Sequence, residues 1–254
     1  MHNHDAVSSL THLFTAVWAV FATLILYRLT RHHGPARWAV VGYGLSMVGL
    51  YLASGTFHGL LYLQTFDDAS TLRSDAVGSL WVFQRLDKSM IYVLIAGSYV
   101  PVFAYLLTGR WQKACFAAVA VITAAGVGSV WFAPNLPHPA LVSLYIGMGL
   151  VGLAPFPLYL KAVGWRGMKW VGGTAVTYIG GGVADVVKWP TLVPGWFGPH
   201  EFLHVADIAG TFCHFTFVVA YVISKPPRGR RVEVLSEPKS GSRVSEEAGS
   251  RQLI

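Results

Sequence analysis

The sequence predicts an all-α fold: a polytopic membrane protein built as a seven-transmembrane-helix bundle. Three observations carry this expectation. Of 254 residues, 54% are hydrophobic and only 12% charged, about half the roughly 25% charged share of a soluble domain. Uncharged stretches recur that are long enough for the ~20 residues needed to cross a bilayer. The charges gather between those stretches and in the segment 225–254. Such a chain has too few charges to cover a water-facing surface, and lipid is the natural solvent for the rest.

The elements follow in order. No charge lies between Asp5 and Arg28, so a first span is expected at Leu10 to Tyr27, after a short N-terminal segment, 1–9. That segment has no Lys or Arg, and a cleaved signal peptide needs a positive start, so the first apolar run is read as a retained helix. The second span lies in the uncharged stretch between Arg37 and Asp67, with its apolar part ending near Leu63. The third lies between Lys88 and Arg110. Between Lys113 and Lys161 there is no charge, which is room for two spans. Pro134, Pro137 and Pro139 divide it, because proline cannot continue a helix. The sixth runs from about Met168 to Val187, where Gly172, Gly173 and Gly180 to Gly182 allow close helix approach. The seventh starts near His200 and ends before Lys225. The membrane domain is thus 10–224. The segment 225–254 is rich in Arg, Glu, Ser, Gly and Pro, and reads as a disordered, basic and polar tail.

Net charge is +7. The positive residues sit in short loops and the tail rather than on one folded face, which favours an anionic membrane surface over nucleic acid. Seven spans put the termini on opposite sides. Fifteen Lys and Arg then fall on the side of the tail and four (Arg73, Arg85, Lys88, Lys188) on the other. The positive-inside rule places the C-terminus in the cytoplasm and the N-terminus outside, in a plasma (inner) membrane. Cys115 and Cys213 lie in apolar runs and suggest free buried thiols. No phosphate-cradling glycine loop or cysteine pair is present, which argues against a nucleotide-dependent or redox enzyme.

Ionisable residues at membrane depth are expensive, so each is a functional candidate. Ser54 and His58 lie one helical turn apart late in the second span. On its own, a single histidine near a helix end is more often a hydrogen-bonded interfacial residue. Asp87, in Arg85-Leu86-Asp87-Lys88, opens the predicted third span, where the helix dipole would also favour it as a cap. His200 and His204, at i and i+4, offer two imidazoles on one face, the way a helix presents ligands to zinc. The intervening residues do not follow the metalloprotease pattern. All three clusters fall at similar depth on one side of the membrane. Three histidines, an aspartate and a serine can therefore converge, and three protein ligands plus water is the arrangement of a catalytic zinc site. Asp207 follows His204 on the same face and could orient a ligand or rest as a satisfied buried carboxylate. His12, His138 and His214 are lesser candidates, with His214 expected to make interhelical hydrogen bonds. Trp81 and Phe83 suit an interfacial anchor.

These stretches resemble the hemolysin III family, which belongs with the progestin and adiponectin receptors and, more distantly, the alkaline ceramidases. The likeness spans roughly Ser8 to Val222. It is strongest at Ser54 to His58, at Arg85-Leu86-Asp87 through Pro101, and at His200-Glu201-Phe202-Leu203-His204 through His214-Phe215. It implies seven helices around a zinc ion, with His58, His200 and His204 as ligands. It makes Asp87 the partner of the zinc-bound water and Ser54 a hydrogen-bond donor beside it. Lys88 departs from the family, where histidine commonly follows the aspartate. Receptors of this superfamily are described with the zinc site on the cytoplasmic side, whereas the charge count puts it outside, as in the ceramidase branch.

The expected function is a zinc-dependent hydrolase acting on a membrane lipid amide, with membrane lipids or a lipid-like small molecule as partner. The alternative is a non-enzymatic sensor or receptor of membrane lipid state held together by zinc. A third reading, cytolysis, follows from the family name alone. No separate amphipathic, membrane-inserting segment supports it.

Overall fold

A computed structural model of the chain describes residues 3–64, 74–133 and 135–224, with side chains from Ser79 onward in the third helix. The expected tail, 225–254, lies outside the described residues. Seven α-helices follow one another: α1 (His4–Thr30), α2 (Arg37–Gln64), α3 (Ser74–Leu106), α4 (Gly109–Phe132), α5 (His138–Val151), α6 (Phe156–Val187) and α7 (Pro199–Phe217). A 3-10 turn at Gly34–Ala36 joins α1 to α2, and one π-helical turn, Val218–Val222, extends α7.

Five helical segments are long and apolar enough to cross a membrane alone: His4–Thr30, Gly34–Gln64, Ser79–Leu106, Gly109–Phe132 and Pro199–Val222. The pair α5 and α6 qualifies together but is bent by 81° between its two parts. The break lies at 152–155, and α6 breaks again at Gly164, whose φ of 66° is one that L side chains rarely adopt. Beyond Gly164 the helix covers the sixth expected span. α1 begins at His4 rather than Leu10, so the short N-terminal segment is largely helical. α3 begins at Ser74, which places Asp87 well inside a helix and removes the helix-cap reading.

The side chains are sorted as a lipid solvent demands. Phe14, Phe21, Val121 and Val176 stand outward, while Ser46, Ser54, Thr211 and His214 are buried. The centre is filled by Tyr43, Tyr51, Tyr92, Phe103 and Phe217. Of these, Tyr51 donates to Thr211 Oγ at 2.7 Å, and Tyr178 of α6 pairs with the same hydroxyl at 2.8 Å, whereas the Tyr43 hydroxyl has no hydrogen-bond partner among the described residues. α6 packs on α7 through small residues. A Cβ at Gly181 would lie 2.8 Å from that of Ala206, so glycine is what lets these backbones approach.

The elements alternate so that the start of α1, the end of α2, the loop between α6 and α7 and the start of α7 meet at one end. Asn3 N–H donates to Gly195 C=O across 3.1 Å there. Glu201 fastens the same end. It accepts from Gly198 N–H (2.8 Å), capping α7, and from Ser8 Oγ (3.1 Å), and it pairs with His4 Nδ1 (2.9 Å). Its buried carboxylate thereby ties α1 to α7.

Candidate metal centre

At this end α2 contributes His58, and α7 contributes His200 and His204 one turn apart. His204 Nε2 lies 3.1 Å from His200 Nε2, which lies 3.4 Å from His58 Nε2. All three ligand atoms fall within 4.8 Å of one another and could hold a metal ion. His58 and His204 are buried, while His200 is partly open.

The outer ring nitrogens decide what the inner ones can do. His58 Nδ1 lies 2.7 Å from Asp5 Oδ1, and His200 Nδ1 lies 3.5 Å from Asp185 Oδ1. An ionised carboxylate only accepts, so each Nδ1 carries a proton, and in the neutral rings each Nε2 then offers a lone pair. Two such lone pairs facing each other across 3.4 Å repel unless a metal ion or a shared proton lies between them. Three nitrogens ~2.0–2.1 Å from a tetrahedral zinc lie about 3.3 Å apart, close to the two separations seen here. The residues present therefore fit a trihistidine metal site. His204 Nδ1 is buried without a hydrogen-bond partner among the described residues.

Asp5 and Asp185 were missed in the sequence. Asp185 had a readable signal, being a lone carboxylate inside a span. It is 1% exposed and also takes His138 Nε2 at 2.6 Å and Lys188 Nζ at 3.1 Å. Asp5 had none, since only the tertiary fold brings the first turn of α1 to the end of α2.

Asp87 and Ser54 come together beside the histidines, where the Ser54 hydroxyl serves the Asp87 carboxylate as a hydrogen-bond partner. Asp207 lines the same space, but the carboxylates at the ligand histidines are Asp5 and Asp185. His12 stacks on His204 with ring centroids 4.0 Å apart, and both its nitrogens are buried without hydrogen bonds among the described residues. His214 packs edge-on against Tyr43 of α2, and its Nδ1 is buried without a hydrogen-bond partner among those residues. Trp81 is exposed and covers Arg85.

The site opens into a cavity of about 520 Å³ that runs inward between α2, α3, α5, α6 and α7. Leu94, Ile95, Val102, Leu150 and Phe217 line its depth, while Ser54, Asp87, Asp207 and the three histidines line its polar end.

Fold and site together define a polytopic helical membrane protein with a trihistidine centre at one end of an apolar cavity. A family model described as Haemolysin-III related matches residues 1–215, and the chain belongs to that family. Among its relatives is Hemolysin-3 of Bacillus cereus, 27% identical over 223 residues, covering 86% of this chain and 92% of the relative. The Hemolysin-3 homolog of Bacillus subtilis (strain 168) is 24% identical, covering 87% of this chain and 96% of the relative. Progestin and adipoQ receptor-like protein 1 of Caenorhabditis elegans is 26% identical over 57% of this chain, which spans only 37% of that receptor-like protein.

Proposed function

We propose that the protein is a zinc-dependent hydrolase of a membrane lipid amide. The observation that carries this reading is the placement of three convergent imidazoles at the polar end of a long apolar cavity. That cavity's volume falls within the ~300–1,000 Å³ of small-molecule sites.

His58, His200 and His204 would hold the ion, with Asp5 and Asp185 fixing the rings of the first two. Bound zinc supplies a Lewis acid that lowers the pKa of water to about 7. Asp87, which lines the cavity beside the histidines, would take a proton from the attacking water and return it to the departing amine. Ser54, which bonds the Asp87 carboxylate at rest, would turn its one hydroxyl proton to the oxygen that gains charge at the scissile carbonyl. The apolar walls bind the hydrocarbon part of the substrate and keep bulk water from the reacting bond.

The test is turnover of a long-chain N-acyl amide by purified protein and by Asp87→Asn. Wild-type release of fatty acid, with a variant that keeps its metal and loses activity, supports the reading. Undiminished turnover in the variant removes Asp87 from the mechanism.

A second reading is a lipid-state sensor with a structural ion. It is favoured by the way the site joins four helices: α1 through Asp5, α2 through His58, α6 through Asp185 and α7 through His200 and His204. Lipid composition that is unchanged by the protein, with a thermal transition that falls on metal removal, would favour it. Cytolysis, which the relatives' name carries, is tested by dye leakage from vesicles.

A further inference from the structure

Beside the large cavity lies a second one of about 250 Å³, between α3, α4 and the start of α5. It is the size of roughly eight waters. Its walls include Gln84, Arg85 and Lys88 from α3 and Ser129 from α4, so its character is polar and cationic. Arg85 and Lys88 are three residues apart on one helix and reach the same space.

Arg85 is only 6% exposed. Its guanidinium lies 3.7 Å from the Trp81 ring centroid and 5.7 Å from that of Trp131, and it donates to the Trp131 carbonyl. The carbonyl takes one of its five N–H donors. Among the described residues the ion pairs all belong to other side chains, so neither Arg85 nor Lys88 has a carboxylate partner there. Enclosed cations are stable when an anion meets them, and a planar guanidinium suits an oxyanion in particular. The two indoles hold the guanidinium in place ahead of any ligand, which lowers the ordering cost of binding.

Gln84, Lys88 and Leu141 line both cavities, so the two spaces meet at Lys88. A ligand with an apolar body in the large cavity could reach the second cavity with its polar end at this junction.

We propose that the second cavity is an oxyanion subsite. It takes the phosphate or sulfate head group of an amphiphile whose hydrocarbon part occupies the large cavity. The inference rests on reading the large cavity as a lipid site, but not on catalysis and not on the metal.

Native mass spectrometry of the full chain in neutral detergent tests it, with phosphatidylglycerol, the diacylglycerol of the same acyl chains (which lacks the phosphate) and inorganic phosphate as probes. Metal content and thermal transition are read on the same samples. The expected result is one phosphatidylglycerol retained in at least about tenfold preference to diacylglycerol. Lys88→Gln and Arg85→Gln should each cut that preference about tenfold, the scale of a lost charge-assisted hydrogen bond. Lys88→Gln should do so at unchanged metal content and transition, which separates the subsite from misfolding. Arg166→Gln, an exposed cation on α6, should leave the preference intact. The proposal is overturned if the two lipids bind alike, if the preference survives both variants, or if Arg166→Gln lowers it as much as Lys88→Gln. Phosphate binding that needs Arg85 and Lys88 without any lipid preference would make the ligand a free anion and overturn the amphiphile. A protein that takes up no zinc when it is supplied, yet still shows the preference, would sink the hydrolase reading while leaving this subsite standing.

Discussion

Replacing Asp5 by Asn should weaken metal binding although Asp5 is not among the ligating residues. The carboxylate lies 2.7 Å from His58 Nδ1, and its charge raises the basicity of the ring and fixes its tautomer. Loss of such an outer carboxylate typically lowers metal affinity ~10–100-fold. The short contact and the burial of His58 (5% exposed) place Asp5→Asn toward the upper end. Asp185→Asn should cost less, about tenfold at this site. Its contact with His200 Nδ1 is longer, at 3.5 Å, and the same carboxylate is shared with His138 and Lys188. The two residues act on different ligands, so the double variant should lose roughly the product of the two factors. A competition titration against a chromophoric chelator, in detergent at constant pH, reads these affinities. Wild-type affinity in a folded Asp5→Asn protein would refute the argument that the Asp5–His58 bond sets the donor nitrogen.

Other predictions concern the reaction, the packing and the topology. Ser54→Ala should leave metal content unchanged and lower kcat more than it raises KM, because the hydroxyl would donate to charge that develops only in the transition state. A pure rise in KM in steady-state kinetics would assign Ser54 to substrate binding instead. Gly181→Val should destabilise the α6–α7 interface by about 1–3 kcal/mol, since its Cβ would already lie 2.8 Å from Ala206 Cβ. A thermal transition equal to wild type would contradict the close approach. The charge count predicts a cytoplasmic C-terminus. A C-terminal fusion reporter active only outside the cytoplasm would reverse the orientation and move the histidine centre to the inner side.

Much of the fold was legible because lipid imposes a simple rule: a span must be apolar for about 20 residues, and charges mark its ends. The stretch from Arg37 to Asp67 and the proline break after α4 followed directly. The bend between α5 and α6 did not. It falls inside the uncharged run from Lys113 to Lys161, where hydropathy is uniform and only Gly152 and Pro155 hint at a stop. The length of α3 was misjudged for the opposite reason. Arg85, Asp87 and Lys88 mark the start of a span by charge alone, yet the helix runs through them, with Arg85 stacked on Trp81 and with Asp87 and Lys88 lining the large cavity.

In the site, the histidines were legible because i and i+4 spacing has one geometric meaning on a helix. Their carboxylate supports were not. Asp5 meets His58, and Asp185 meets His200, only through tertiary packing. Asp207, one turn beyond His204, stood open between orienting a ligand and resting as a buried carboxylate; it lines the cavity, while the carboxylates seen at Nδ1 of His58 and His200 are Asp5 and Asp185. Arg85 and Lys88 were read as topology markers, and their common cavity appears only when α4 closes over α3.

The central claim is that His58, His200 and His204 hold one zinc ion. Elemental mass spectrometry of purified, chelator-free protein tests it most directly, comparing wild type with the His200→Ala, His204→Ala double variant. The account predicts about one zinc per wild-type chain and none in the variant. A folded wild-type protein that carries no zinc, and takes up none when it is supplied, would contradict it.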